Sequence, residues 1–131
     1  MKKDSCLFCN KNSDENEIIC ENELFYARYD NFPVVKGHCE IVPKEHTESL
    51  FDLESDELKK MFELLKKTKE KLQDKYSPDA YNIGVNDGKE AGRTIDHLHV
   101  HLIPRYEGDV KNRAGGIRNM FPSEDEYAEE S

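Results

Sequence analysis

The segment Gly92-Arg93-Thr94-Ile95-Asp96-His97-Leu98-His99-Val100-His101-Leu102-Ile103-Pro104-Arg105-Tyr106 places three of the chain's five histidines at alternate positions. Successive side chains of a β-strand point to opposite faces, so the spacing predicts a strand with His97, His99 and His101 on one face and Leu98, Val100 and Leu102 on the other. The aliphatic face suits a core. At about 3.3 Å per residue the outer imidazoles lie roughly 13 Å apart, enough to line a small polyphosphate. Pro104 lacks an N–H and is expected to end the strand, confining the row to one short ladder.

Working outward, 131 residues fit one domain, 1–131, with its core over about 6–109. A net charge of −9, from 28 acidic and 19 basic residues, argues against general affinity for nucleic acid or an anionic membrane. A phosphate-bearing ligand therefore needs a local positive site. Met1-Lys2-Lys3 is not followed by the apolar run of a secretory signal, and no stretch approaches the roughly 18 apolar residues of a membrane span, so a cytoplasmic protein is expected. In a reducing compartment Cys6 and Cys9, spaced C-x-x-C, suit metal binding or redox work better than a disulfide, with two buried thiols as the alternative. A zinc there wants two further ligands. Cys20 and Cys39 are expected to be ordinary thiols.

Ile18–Glu21 and Leu24–Tyr29 read as a hairpin turning at Glu21-Asn22-Glu23, and Gly37–His46 as a third strand stopped at Pro43, with His46 just beyond it. From Ser55 to about Tyr76 the period changes to that of a helix, with Leu58, Met61, Phe62, Leu65, Leu72 and Tyr76 as its core stripe and Ser77-Pro78 as its stop. Ala80–Asn86 reads as a fourth strand closed by Asp87-Gly88. The loop Lys89–Thr94 enters the histidine segment directly, where its backbone N–H groups, Arg93 and Thr94 can donate to an anion. The acidic end, about 123–131, is expected to be solvated and flexible.

His97-Leu-His99-Val-His101-Leu-Ile resembles the His-x-His-x-His-x-x signature of the histidine triad superfamily of nucleotide hydrolases and transferases. Asp87-Gly88, Ala91-Gly92-x-Thr94, Pro33-Val-Val-x-Gly37-His38 and Pro104-Arg105 are similar to the fragile-histidine-triad branch, which cleaves dinucleoside polyphosphates. Cys6, Cys9 and Val42-Pro43-Lys44-x-His46 instead resemble zinc-containing bacterial members. The resemblance implies an α+β fold, an antiparallel sheet of about five strands with the long helix packed on it, continued across a homodimer. It implies a nucleotide substrate, a structural zinc held by Cys6, Cys9, His46 and His97, and no organic cofactor.

By the same matching His99 is the nucleophile that forms a nucleotidyl-histidine, which water then cleaves. His101 contacts the phosphate and helps the leaving group, and His38 orients the catalytic imidazole. Thr94 and the backbone of Gly92, Arg93 and Ile95 hold phosphate oxygens. Asp30 matches a residue that bonds ribose hydroxyls, and Asn86 a ligand-contacting amide. Arg93 stands where that branch more often has Gln, which implies a different substrate preference. Competing activities are phosphoramidate hydrolysis and phosphorolytic transfer. From other classes come a non-catalytic nucleotide-binding module and a metallohydrolase using all three histidines, although imidazoles two apart on a strand point nearly parallel and do not converge on one ion.

Overall fold

A computed structural model describes residues 2–3 and 5–121; the acidic end at 123–131 lies outside the described residues. Strands β1 (Ile18–Glu21), β2 (Phe25–Tyr29), β3 (Cys39–Pro43), β4 (Ala80–Gly84) and β5 (Val100–Arg105) form one antiparallel sheet in the order β1-β2-β3-β5-β4, and helix α1 spans Ser55–Tyr76. The hairpin, helix and fourth strand thus stand where the periodicity puts them. Asn22 closes the hairpin turn by accepting from the N–H groups of Leu24 and Phe25 through its side chain. Ser77, with φ 51 and ψ 51, ends α1 in the left-handed conformation, its N–H donating to the Gln73 carbonyl.

Alternation along the strands divides the sheet into two chemical faces. Phe25, Ala27, Cys39, Ile41, Val100 and Leu102 join Leu64, Leu65 and Leu72 of α1 in the main core. Each fully buried side chain of this kind contributes about 1.5–3 kcal/mol of transfer free energy. The intervening residues Tyr26 and Val42 pack instead against Phe8, and the same alternation carries Arg28, Glu40 and His101.

Helix α1 buries Leu65 and Leu72 and packs Met61 and Tyr76 against the core as its period predicts, but turns Leu58 and Phe62 outward. Leu64, Leu65, Thr68 and Leu72 are buried, whereas Leu58 is 41% and Phe62 56% exposed. A helix of this length runs about 33 Å, longer than any of these strands, and its buried positions fall in its middle turns. Thr68 enters the core because its hydroxyl donates to the Leu64 carbonyl at 2.7 Å, leaving no unpaired donor. Cys20 and Cys39 are free thiols, as the sequence predicts. No helix among the described residues is long and apolar enough to cross a membrane.

Candidate active site

The three histidines keep the predicted alternation but not the predicted ladder. Leu98, Val100 and Leu102 all enter the main core, yet β5 begins only at Val100, so His97 and His99 precede it. The reason is local. β3 pairs with β5 only from Cys39 to Ile41 and then runs out through Pro43, whose carbonyl accepts from His97 Nε2 at 2.8 Å in place of a backbone bond. Pro104 lies inside β5 opposite Tyr81, beyond the part of the strand that β3 pairs, and so does not end it.

The hydrogen bonds assign the imidazole tautomers one after another. The Val34 N–H donates to His38 Nδ1 at 3.2 Å, so the proton of neutral His38 is on Nε2. That N–H donates to His101 Nδ1 at 2.9 Å, leaving the His101 proton on its own Nε2. His99 Nδ1 donates to the His97 carbonyl at 2.8 Å, so its Nε2 carries the free lone pair. His38 is therefore the support of His101; His99 takes its orientation from the chain itself, a correction to the expectation that His38 aligns the nucleophile. Burial lowers the pKa of His38 and His99, and burial followed by repulsion from His99 and His38 takes His101 to about 4. All three imidazoles are neutral at pH 7, the state a nitrogen nucleophile requires.

His97 faces elsewhere. Its Nδ1 lies 3.3 Å from Cys6 Sγ and 3.5 Å from Cys9 Sγ, and His46 Nδ1 lies 3.2 Å from Cys9 Sγ. The four donor atoms fall within 4.8 Å of one another. Ligands roughly 2.0–2.3 Å from a tetrahedral zinc stand about 3.3–3.8 Å apart, so the cluster has the dimensions of a closed Cys₂His₂ site. The far nitrogens fit as well. His97 Nε2 is bonded to the Pro43 carbonyl and His46 Nε2 lies 3.3 Å from a Glu48 carboxylate oxygen, the partners that fix a metal-ligating imidazole. With His97 committed here, the three triad histidines do not converge on one ion. Two further groups also gather donor atoms: Asp30 with His38 and His101, about the His38–His101 hydrogen bond, and Glu40 with His99 and His101, where Glu40 Oε2 lies 3.8 Å from His101 Nδ1.

A cleft of about 260 Å³ opens beside His99 and His101. Of the predicted ligand contacts, Asp30, Asn86, Gly92, Thr94 and Ile95 line it. Arg93 is not among these lining residues: its guanidinium donates to the Glu48 carbonyl at 2.8 Å and pairs with Asp96 at 3.3 Å, bracing the loop. Phe8, carried between the two cysteines, forms part of the wall, with its ring centroid 5.0 Å from that of His99.

Six of the lining residues, Leu7, Phe8, Arg28, Asn31, Phe32 and Glu40, escaped the reading of the sequence, and two of them carry charged side chains. Arg28 and Glu40, opposite each other across β2 and β3, form a buried pair with Nη1 2.6 Å from Oε1. Burial, then the neighbouring Asp30 carboxylate, pushes the Glu40 carboxyl up to about 8 against the pull of Arg28. Burial also works to raise Asp30, but hydrogen bonds from the Glu40 carboxyl and the Phe32 N–H hold it below its ordinary value. Asp30 and Glu40 thus hold one proton between them at neutral pH. The available signal was one charged residue within each of two otherwise apolar strands, Phe25-Tyr-Ala-Arg28-Tyr29 and Cys39-Glu40-Ile-Val-Pro43.

A sheet and helix in this order, with a histidine row on the helix-free face, define a histidine triad protein, and residues 11–108 match the family described as HIT domain. The chain belongs to that family. It is 42% identical over 118 residues to an uncharacterized HIT-like protein of Methanocaldococcus jannaschii, covering 88% of this chain and 91% of the relative. It is 33% identical over 94 residues to the asymmetrical bis(5'-nucleosyl)-tetraphosphatase of Schizosaccharomyces pombe, covering 72% of this chain and 52% of that enzyme. Among solved structures, a zinc-bound histidine triad family protein from Mycobacterium smegmatis superposes with a TM-score of 0.72 at 32% identity, over 80% of this chain and 78% of that one.

Proposed function

We propose that this protein is a nucleotide hydrolase that acts at the α-phosphate of dinucleoside polyphosphates through a nucleotidyl-histidine intermediate. The observation that carries the proposal is the His99 imidazole, neutral, locked through Nδ1 to the His97 carbonyl and bordering the cleft, with its Nε2 lone pair free. Attack by Nε2 forms a P–N bond as the P–O bond to the leaving group breaks. The His101 Nε2–H, set by the His38 relay, donates to the phosphoryl or departing oxygen. Thr94 and the backbone of Gly92 and Ile95 hold the remaining phosphate oxygens, and Asn86 contacts the ligand beside them. Asp30 accepts from the ribose hydroxyls, and water then cleaves the P–N bond, regenerating His99.

The same reading assigns the ion at Cys6, Cys9, His46 and His97 as zinc in a structural role, since four protein ligands leave no open position. It also includes a homodimer joined through the sheet edge at β4. That strand pairs only with β5 among the described residues, and Ile83 on it and Phe62 on α1 leave apolar surface exposed. Light scattering on the purified protein gives the mass that decides it.

The decisive experiment is turnover of diadenosine tri- and tetraphosphate and of adenosine phosphoramidate by one preparation, with and without added phosphate, beside His99→Ala. The polyphosphates are expected to be preferred, with an acid-labile adduct on the wild type and a loss of several orders of magnitude in His99→Ala that leaves nucleotide binding intact. Preference for the phosphoramidate, or phosphate-dependent release of a nucleoside diphosphate, would move the assignment to phosphoramidase or phosphorylase. Ordinary turnover by His99→Ala would end it.

A further inference from the structure

The wall of the cleft beyond the histidines is charged. Arg28 and Glu40 are 2% and 3% exposed, yet both line the cleft. They stand in one row with His101, because Arg28 pairs with Glu40 across β2 and β3 and Glu40 with His101 across β3 and β5. Two strand spacings put the backbone at Arg28 roughly 10 Å from that at His101. Arg28, Asp30, His99 and His101 line the same cleft, so a nucleotide whose phosphate sits on the histidines and whose sugar meets Asp30 has Arg28 within reach of its base.

The guanidinium is held rigidly but is not saturated. Nη1 donates to Glu40 Oε1 at 2.6 Å, Nη2 donates to the Glu15 carbonyl at 3.1 Å, and the Phe8 ring lies 5.0 Å from the guanidinium carbon. Nε is buried with no hydrogen-bond partner among the described residues. Unpaired buried donors are uncommon because each costs desolvation free energy with no compensating bond. Nη1 and Nη2 each carry a second N–H beyond these bonds, so a guanidinium fixed by a carboxylate and braced by an aromatic ring lines the cleft with two neighbouring donors in reserve.

We propose that Arg28, positioned by Glu40, is the base-discriminating residue of the cleft and selects guanine over adenine. This rests on the nucleotide reading above. Guanine presents two adjacent acceptors, O6 and N7, which match a guanidinium, whereas adenine presents N7 beside an N6 amine that sets donor against donor. Glu40 supplies orientation, since a guanidinium free to rotate would lose more entropy on binding.

Calorimetric titration of the full-length, metal-loaded protein with GMP, AMP and ribose 5-phosphate tests it. The wild type is expected to bind GMP at least about tenfold more tightly than AMP, the discrimination a bidentate arginine contact gives. Arg28→Leu with Glu40→Leu removes the buried pair together, and should bring GMP and AMP within about threefold of each other, a ratio within one protein that a shared change in sugar binding through Asp30 leaves intact. Arg28→Lys keeps the charge beside Glu40 but not the planar fork, and should also narrow the preference, so the idea stays exposed if the double variant does not fold. AMP binding as tightly as GMP in the wild type, or an undiminished GMP preference in either folded variant, overturns this inference and leaves the nucleotide reading standing. Failure of GMP, AMP and ribose 5-phosphate all to bind overturns both.

Discussion

Phe8→Ala tests the coupling between the amino-terminal loop and the catalytic segment. Phe8 is 1% exposed, meets the rings of His97 and His99 at centroid distances of 5.7 and 5.0 Å, and packs with Tyr26 and Val42 in the smaller core. Its carbonyl accepts the Tyr26 hydroxyl at 2.5 Å, so backbone and side chain are both anchored. Truncating a buried phenylalanine costs about 3–5 kcal/mol in lost transfer free energy and cavity. For a domain of this size that is a fall in melting temperature of roughly 10–20 °C. The zinc donor atoms belong to Cys6, Cys9, His46 and His97, so metal content should stay at its wild-type level. Scanning calorimetry on samples of matched metal content, with elemental analysis alongside, reads both quantities. A loss below about 1 kcal/mol, or parallel loss of the metal, would refute the view of Phe8 as a packing element separate from metal ligation.

Removing the metal site should act on stability first: the Cys6→Ala, Cys9→Ala double variant is expected to bind no zinc and to melt lower, while protein that remains folded still forms the His99 adduct. Wild type isolated without added zinc should carry about one ion per chain, and a metal-free preparation that takes up none on titration would leave both cysteines as plain thiols. The acid limb of kcat/KM should fall below pH 6.5, because burial lowers the folded-state pKa of His99 and takes His101 to about 4, so the neutral forms persist as pH drops until it passes those values. A limb above 6.5 in a pH series of initial rates would contradict this; by the same sign, the contribution of these histidines to folded stability is lost as pH falls from about 6.5 toward 4, where the unfolded chain binds protons that their folded environment excludes. Arg93→Gln should cost about 1 kcal/mol through its lost bond to the Glu48 carbonyl and leave the ratio of polyphosphate to phosphoramidate specificity constants nearly unchanged; a tenfold shift in that ratio would return Arg93 to the substrate.

Much of the molecule was determined locally and was therefore visible in the chain. Ser55–Tyr76 is helical because a 3.6-residue period with a proline-marked stop admits little else, and the alternation from His97 to Leu102 sorts imidazole from aliphatic whether or not a ladder forms. The metal cluster was legible through Cys6-x-x-Cys9 together with the family resemblance at His46 and His97, which spacing alone could not join across positions so distant in sequence. Other features depend on which strands become neighbours. Only the β2-β3-β5 order sets Arg28 beside Glu40 and Glu40 beside His101, turning two charges that look like interruptions of apolar strands into a wall of the cleft. Only the folding of β3 against β5 gives His38 to His101 and leaves His99 to the His97 carbonyl. Period gave most of the stripe that α1 buries, but the sheet it meets decided that Leu64 and Thr68 go in while Leu58 and Phe62 stay out. Hydrophobic period is a property of neighbours along the chain, whereas tautomers, buried ion pairs and shifted pKa values are set by neighbours in space, and those arise only when the sheet closes.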